Sequence, residues 1–137
     1  MNTSPIERTL IIMSEPIEWI LGGRKIWELR TKPTKIRGRI ALSEKGAKRI
    51  VGMCTLKDCV GPLSVDDYIA NARKMNFTKS ELEADRKELK KKLSTGLYAW
   101  VLADVKRLAE PIYFENPSGA VTWALLRTNI SRKLSKL

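Results

Sequence analysis

Histidine is absent from this 137-residue chain. Its absence excludes Ser-His-Asp and Cys-His nucleophile systems, and it excludes any zinc site with histidine ligands. Acid–base catalysis near neutral pH would therefore need a lysine, a carboxylate, a tyrosine or a cysteine whose pKa is shifted by its surroundings.

Cysteine is also scarce, since Cys54 and Cys59 are the two in the chain. They are too few for a disulfide scaffold and are not spaced like a metal knuckle, so we expect core thiols, no metal and a cytoplasmic location. No apolar run approaches the ~20 residues that cross a bilayer, and residues 1–5 lack a secretion-signal pattern. We therefore expect no membrane partner, and nothing in the sequence suggests a cofactor.

Positive charge is concentrated in two stretches of the chain. The net charge is +11, from 26 Lys and Arg against 15 Asp and Glu. Residues 24–49 carry a net +8 and residues 127–137 carry +4, while the remainder is close to neutral. Such a one-sided block is typical of a surface that binds a polyanion, because each phosphate it neutralises releases counterions. The charge distribution therefore favours a nucleic acid as the partner. The alternatives are a basic protein without such a partner, and an acidic membrane or protein partner.

Alternation of apolar residues and turn signals predict about six short strands and two or three helices. A short helix is expected at residues 14–22, and Ser64 and Thr78 are expected to cap two helices inserted between strands. The strands are expected at residues 9–13, 25–30, 39–43, 49–60, 97–105 and 111–114, with a strand or short helix at 121–126. Together these elements indicate an α+β fold, a small and mainly antiparallel β-barrel with flanking helices.

Residues 23–30, GRKIWELR, fit the pattern G-x-K-x-x-E-x-R. Lys25 and Arg30 could bind phosphate, and Glu28 could accept a hydrogen bond from the exocyclic amine of a base. On a strand Glu28 and Arg30 share a face opposite Lys25, so a structural ion pair between them is the alternative. For Lys25 the alternative is a solvated loop residue.

Aromatic side chains offer stacking surfaces for bases. Tyr98 and Trp100, on the strand at residues 97–105, and Trp27 present flat faces on which an unstacked RNA base can lie. The alternative for Trp27 and Trp100 is burial in the core, which we also expect for Trp123.

The motif and the order of elements around it resemble the ASCH domain family, within the PUA-like superfamily. The motif follows a short helix and precedes RGRIAL at residues 37–42, and YAWVL at residues 98–102 follows an inserted helical segment. The resemblance spans about residues 9–126. It implies a PUA-like β-barrel as one domain over residues 1–126, after which residues 127–137 are expected to form a basic C-terminal tail, loose or weakly helical.

The resemblance also implies a cleft, lined by the motif strand, that holds RNA or a nucleotide. Family members are associated with RNA or nucleotide binding, some small members are amidohydrolases of N4-acylated cytidines, and some are reported as ribonucleases. The nucleic-acid-binding residues expected here are Lys25, Arg30, Lys32, Lys35, Arg37, Ser43, Lys45, Tyr98 and Trp100. In a metal-independent ribonuclease, the expected catalytic residues are Lys25, Glu28 and Arg30, since RNA supplies its own 2′-hydroxyl nucleophile.

One departure from the family argues against amidase chemistry. The amidohydrolases that the motif resembles use a lysine, a threonine and a glutamate as catalytic groups. Lys25 matches the lysine, but Glu28 stands at the threonine position and Met75 near the glutamate position. The sequence therefore favours a non-enzymatic RNA-binding module. A ribonuclease acting on single-stranded RNA is the alternative, and a nucleoside amidohydrolase is less favoured.

Overall fold

The computed structural model describes residues 5–137, which form six strands, five α-helices and one 3-10 turn. The strands are Arg8–Ile12 (β1), Trp27–Arg30 (β2), Gly38–Glu44 (β3), Arg49–Val60 (β4), Tyr98–Tyr113 (β5) and Trp123–Leu125 (β6). The α-helices are Ser14–Leu21 (α1), Val65–Ala70 (α2), Lys79–Ala84 (α3), Arg86–Leu93 (α4) and Thr128–Ser135 (α5). The 3-10 turn, Ala72–Met75, follows α2.

All six strands belong to one sheet, in the order β2-β5-β4-β3-β1-β6. β1 runs parallel to β3, and the other neighbouring pairs are antiparallel. The sheet curls into a half-barrel whose two edges are β2 and β6. The predicted α+β class and the mainly antiparallel, barrel-like architecture are therefore confirmed, with the barrel open between its two edge strands.

The longest strand, β5, combines the two segments that the sequence predicts as separate strands. Its pairing with β4 shifts register at three places, one of them between Ile50 and Gly52. Such irregularities bend a strand, which lets one long strand follow the curl of the sheet. A Cβ atom on Gly52 would lie 2.5 Å from the Leu21 side chain, so α1 packs directly onto the sheet at this point.

Apolar side chains cover both faces of the sheet. Leu10 and Ile12 of β1 belong to a first cluster that includes residues of α1, whereas Ile11 belongs to another cluster that includes Leu134 of α5. This division follows from the alternation of side chains along a strand. A further cluster joins α2, α3 and α4 to Trp27 of β2. The inserted helices therefore have an apolar core of their own, which anchors them beside the edge strand.

The C-terminal residues form helix α5, where the sequence favours a loose or weakly helical tail. Leu134 is fully buried, and Ile130 packs against the same apolar cluster. Leu126 and Phe114 also belong to that cluster or pack against it. The predicted domain boundary at residue 126 stays a prediction.

We expect Leu134→Ala to lower the free energy of unfolding by about 2–5 kcal/mol, because it leaves a cavity beneath α5. Leu125→Ala is the matched control: Leu125 is 72% exposed, and its replacement should change stability by no more than about 0.5 kcal/mol. Urea unfolding followed by circular dichroism measures both changes. Equal effects of the two substitutions would show that α5 detaches from the domain in solution.

Candidate functional site

A cleft of about 390 Å³ lies between β2, the end of β1 and the chain that precedes β6. Its volume falls in the range of sites that hold small organic ligands. The charged side chains that line it are Lys25, Glu28, Arg30 and Lys45. The other lining residues are apolar: Ile11, Met13, Pro16, Leu29 and Val121. The structure therefore brings together the three charged residues of the motif and one lysine from the turn after β3.

The backbone before β2 explains why Lys25 joins the other two motif residues. The sequence predicts a strand from residue 25, which would place Lys25 on the face opposite Glu28. In the structure β2 begins at Trp27, and the backbone N–H groups of Arg24 and Lys25 both donate to the carbonyl of Trp19 in α1. The predicted opposite-face arrangement is wrong, because Lys25 lies in the irregular segment before β2, where the alternation of a strand does not apply.

Glu28 and Arg30 form an ion pair in the wall of the cleft. Arg30 Nη2 donates to Glu28 Oε2 at 2.8 Å, and Arg30 Nε donates to the same oxygen at 3.2 Å. Arg30 Nη2 also donates to the carbonyl of Ile11 at 2.9 Å, which connects the edge strand β2 to β1. The structural ion pair that the sequence leaves open is thus present, and it lines the cleft.

Lys25 is largely buried and lacks a bonded partner within the described residues. It is 5% exposed, and no hydrogen-bond acceptor or carboxylate lies within bonding distance of its ammonium there. The ammonium still reaches the cleft, because it is not among the enclosed polar atoms that lack a hydrogen bond. Burial lowers the pKa of Lys25; the carboxylate of Glu28 opposes this shift, while the cations Lys92 and Arg30 add to it. An ammonium that is partly removed from water without a bonded acceptor is destabilising, and perturbed groups of this kind concentrate at functional sites.

The remaining basic candidates lie at the rim of the cleft or beyond it. Lys45 is exposed at the rim, and its backbone N–H donates to the carbonyl of Ile12 at 2.8 Å, which fixes the turn after β3 beside the cleft. Lys32, Lys35 and Arg37 are exposed on the loop between β2 and β3, outside the cleft lining.

Trp100 lies in the core rather than in the cleft. It is 3% exposed and stacks on Trp123, with ring centroids 5.7 Å apart, and the Arg30 guanidinium lies 5.6 Å from its ring centroid. Its indole N–H donates to the carbonyl of Lys32 at 3.0 Å. Because its faces are covered, a base cannot stack on this ring, and the alternative of a core tryptophan describes it. Trp27 is likewise buried.

Two further candidates lie outside the cleft lining. Ser43 is buried and its hydroxyl is hydrogen-bonded to the hydroxyl of Thr9 on β1, so it links two neighbouring strands. Tyr98 is half-buried and packs against the first apolar cluster, opposite Arg30 in the sheet register. Neither side chain reaches the cleft.

Sequence reasoning missed the apolar wall of the cleft. Met13 and Val121 are 64% and 73% exposed, and both line the cleft. Exposed large apolar side chains beside a concavity are typical of a binding surface. Met13 directly follows the buried residues of β1. In the sequence it therefore looks like one more core residue of that strand. Only the fold shows that it leaves the core at this position.

Two further kinds of functional site, a membrane-spanning helix and a metal centre, are absent from the described residues. Over residues 5–137, no helix is both long and apolar enough to cross a membrane. Within the same residues, no group of three or more Cys, Asp or Glu side chains is arranged to hold a metal ion.

Comparison with known proteins identifies what this fold is similar to. A family model described as ASCH domain matches residues 10–118. The crystal structure of ASCH from Zymomonas mobilis has a TM-score of 0.67 and 19% identity, over 96% of this chain and 94% of that chain. The structure of a tyrosine-to-phenylalanine variant of that protein has a TM-score of 0.67 and 22% identity, over 96% of this chain and 97% of that chain. No curated protein matches the chain. At these identities the solved structures establish a shared fold.

We expect Lys25→Met to raise the free energy of unfolding at pH 7 by about 1 kcal/mol, because it removes a largely buried charge that has no bonded acceptor. The pKa of Lys25 is lowered in the folded protein, so between that pKa and the ordinary value the unfolded chain binds more protons. Wild-type stability therefore rises with pH in that interval, and the advantage of the variant should shrink. Urea unfolding at pH 7 and pH 10 measures both effects.

Lys57→Met is the matched control, since Lys57 is exposed on β4. Its effect should stay within about 0.5 kcal/mol at both pH values. A Lys25→Met protein that is less stable than wild type at pH 7 would contradict the assignment of Lys25 as a cation that destabilises the folded protein.

Proposed function

This chain belongs to the ASCH domain family, and from that premise we propose that it is an RNA-binding protein whose cleft holds one nucleotide. The nucleotide is either a unit of single-stranded RNA or a free nucleotide, plain or modified. The observation that carries the proposal is the largely buried Lys25, whose ammonium opens to the cleft without a bonded acceptor among the described residues and lines it together with Glu28 and Arg30. A phosphate or a base carbonyl would supply the acceptor that the folded chain does not.

The composition of the cleft supports this choice of ligand. Its apolar wall, which includes Met13 and Val121, suits the flat faces of a base. Glu28 has a second carboxylate oxygen beside the one that Arg30 engages, and a carboxylate oxygen can accept from the exocyclic amine of a base. Lys45 stands at the rim, where the phosphate of a bound nucleotide would meet solvent.

The surroundings of the cleft favour a polyanion. Lys32 and Lys35 are exposed on the loop after β2 and have no ion-pair partner within the described residues, so both are available to phosphates. Arg37 lies 3.8 Å from Asp58, an exposed pair that a phosphate could replace at small cost. Phosphate contacts of this kind supply affinity without sequence preference.

We expect Lys25→Met to weaken binding of labelled single-stranded RNA about 10- to 100-fold, the size of a lost charge-assisted hydrogen bond. Fluorescence anisotropy at low salt measures the affinity, and repetition at increasing salt should show a steep fall, because phosphate contacts release counterions. Lys57→Met should bind like wild type. Equal affinity of Lys25→Met and wild type would exclude the cleft as the binding site.

A metal-independent ribonuclease is a second candidate, and the lowered pKa of Lys25 favours it. A lysine with a lowered pKa can act as a general base toward the 2′-hydroxyl of RNA. The Arg30 guanidinium, fixed by Glu28 and the Ile11 carbonyl, would then offer a preorganised cation to the transition state. Glu28 is the other possible base.

Incubation of labelled single-stranded RNA in EDTA separates the two candidates. A ribonuclease should cleave, with a rate that rises with pH as Lys25 loses its proton, and both Lys25→Met and Glu28→Gln should slow cleavage by at least tenfold. If the protein binds the RNA tightly and the RNA stays intact, the ribonuclease is excluded and RNA binding remains as the function. Cleavage that both variants retain would indicate a contaminating nuclease.

The structure adds one observation on the amidohydrolases within the family. Met75, near the position of their catalytic glutamate, is fully buried in the apolar cluster of the inserted helices. It adds no polar group to the cleft, so a nucleoside amidohydrolase is the least favoured of the three functions. A cytoplasmic location is also part of the proposal, and the free thiols of Cys54 and Cys59 are consistent with a reducing compartment.

A further inference from the structure

A second concavity, of about 500 Å³, lies between the end of β5 and helix α5; we refer to it as the α5 groove. Its polar lining includes Tyr113, Glu115, Arg127, Asn129 and Lys133. None of these residues lines the cleft, and none belongs to the G-x-K-x-x-E-x-R motif. The groove is therefore a separate feature, built from the second basic stretch of the chain.

The α5 groove has free positive charge. Arg127 and Lys133 are exposed, and neither has an ion-pair or hydrogen-bond partner for its side chain in the part of the chain that the structure describes. The groove's carboxylate, Glu115, is already engaged, because it lies 3.6 Å from the Lys48 ammonium and accepts from the Tyr113 hydroxyl at 3.2 Å. The net field of the groove is positive.

An aromatic ring stands beside these cations. Tyr113 is 69% exposed at the end of β5, which makes it one of the most exposed large hydrophobic residues in the described part of the chain. Exposed aromatic rings next to unpaired cations are the combination that binds single-stranded nucleic acid, through stacking and phosphate contact. Unlike Trp100, this ring is open to solvent.

The turn between β3 and β4 connects the two concavities. Lys45, at the start of this turn, lines the cleft. Lys48 ends this turn, and its backbone carbonyl accepts a hydrogen bond from the Phe114 N–H at 3.0 Å. Its ammonium forms an ion pair with Glu115 in the groove. Three residues of chain span at most about 11 Å. A short stretch of RNA could therefore reach from one concavity to the other.

We propose that a single strand of RNA occupies the cleft and the α5 groove together, crossing the turn between β3 and β4. The inference rests on the proposed function of the cleft and deepens it, since it names an oligonucleotide rather than a free nucleotide as the ligand. The cleft holds one nucleotide, and the α5 groove holds a later nucleotide by stacking on Tyr113 and by phosphate contacts to Arg127 and Lys133.

The test compares a mononucleotide with a ten-nucleotide single-stranded RNA, using wild type and two double variants. Arg127→Gln with Lys133→Gln removes the cations of the groove. Arg132→Gln with Lys136→Gln is the matched control, because it removes the same charge from exposed positions of the same segment outside the groove. Thermal unfolding verifies that both proteins are folded, and anisotropy or calorimetry gives the affinities.

We expect the groove variant to bind the ten-nucleotide RNA at least tenfold more weakly than wild type, with mononucleotide binding unchanged. The slope of log affinity against log salt should fall by about 1.4, for two lost phosphate contacts. The control should change the affinity for the longer RNA by less than threefold. Tyr113→Ala should also lower the affinity for the ten-nucleotide RNA and leave the affinity for the mononucleotide unchanged.

The outcomes separate this inference from the function of the cleft. Equal binding of the longer RNA by the groove variant and the control would overturn the shared path and leave the cleft intact. Loss in the groove variant without loss in Lys25→Met would also overturn it, because the groove would then bind RNA alone. Binding of a polyglutamate peptide that the groove variant loses, with RNA binding retained, would assign the groove to an acidic protein instead.

Discussion

One guanidinium, that of Arg30, determines the electrostatics of the open side of this half-barrel. It bonds to the Glu28 carboxylate on its own edge strand and to the Ile11 carbonyl of β1, so it links strands that are not paired in the sheet. Arg30 engages Glu28 at 2.8 Å, and the nearby Lys25 ammonium interacts with the Glu28 charge without lying within bonding distance of a carboxylate among the described residues.

The position of Lys25 lowers the stability of the folded protein and at the same time offers a charge to a ligand in the cleft. A buried charge pair with good hydrogen bonds can offset its own desolvation, whereas a charge without a bonded partner lacks that compensation. Burial of the surrounding apolar clusters, at about 1.5–3 kcal/mol for each fully buried large side chain, can offset such a cost. Functional sites commonly hold groups that the folded chain alone would be more stable without. The ammonium of Lys25 fits that description, whereas the exposed lysines of α4 do not.

Local pattern predicted the strands of the sheet and the caps of the inserted helices, because alternation and capping are properties of adjacent residues. Local pattern failed where contacts with a distant segment of the chain determine the position of a side chain. Lys25 turns into the cleft because α1 holds its backbone, and Trp100 is covered because Trp123 and Arg30 lie on its ring. The motif residues were predictable as a group. Their burial and the apolar wall around Met13 depend on how β1 and β2 pack against each other. No local sequence pattern predicts that packing.

The two basic stretches are far apart in sequence, and the fold determines whether they act as one surface. At physiological salt, exposed charges separated by more than about 8 Å are largely screened from each other. The turn between β3 and β4 carries Lys45, which lines the cleft, and Lys48, which pairs with Glu115 of the α5 groove. A chain of phosphates can contact such a series of cations in succession, whereas a compact anion contacts only one end. The order of the cations therefore suits the extended polyanion that we propose.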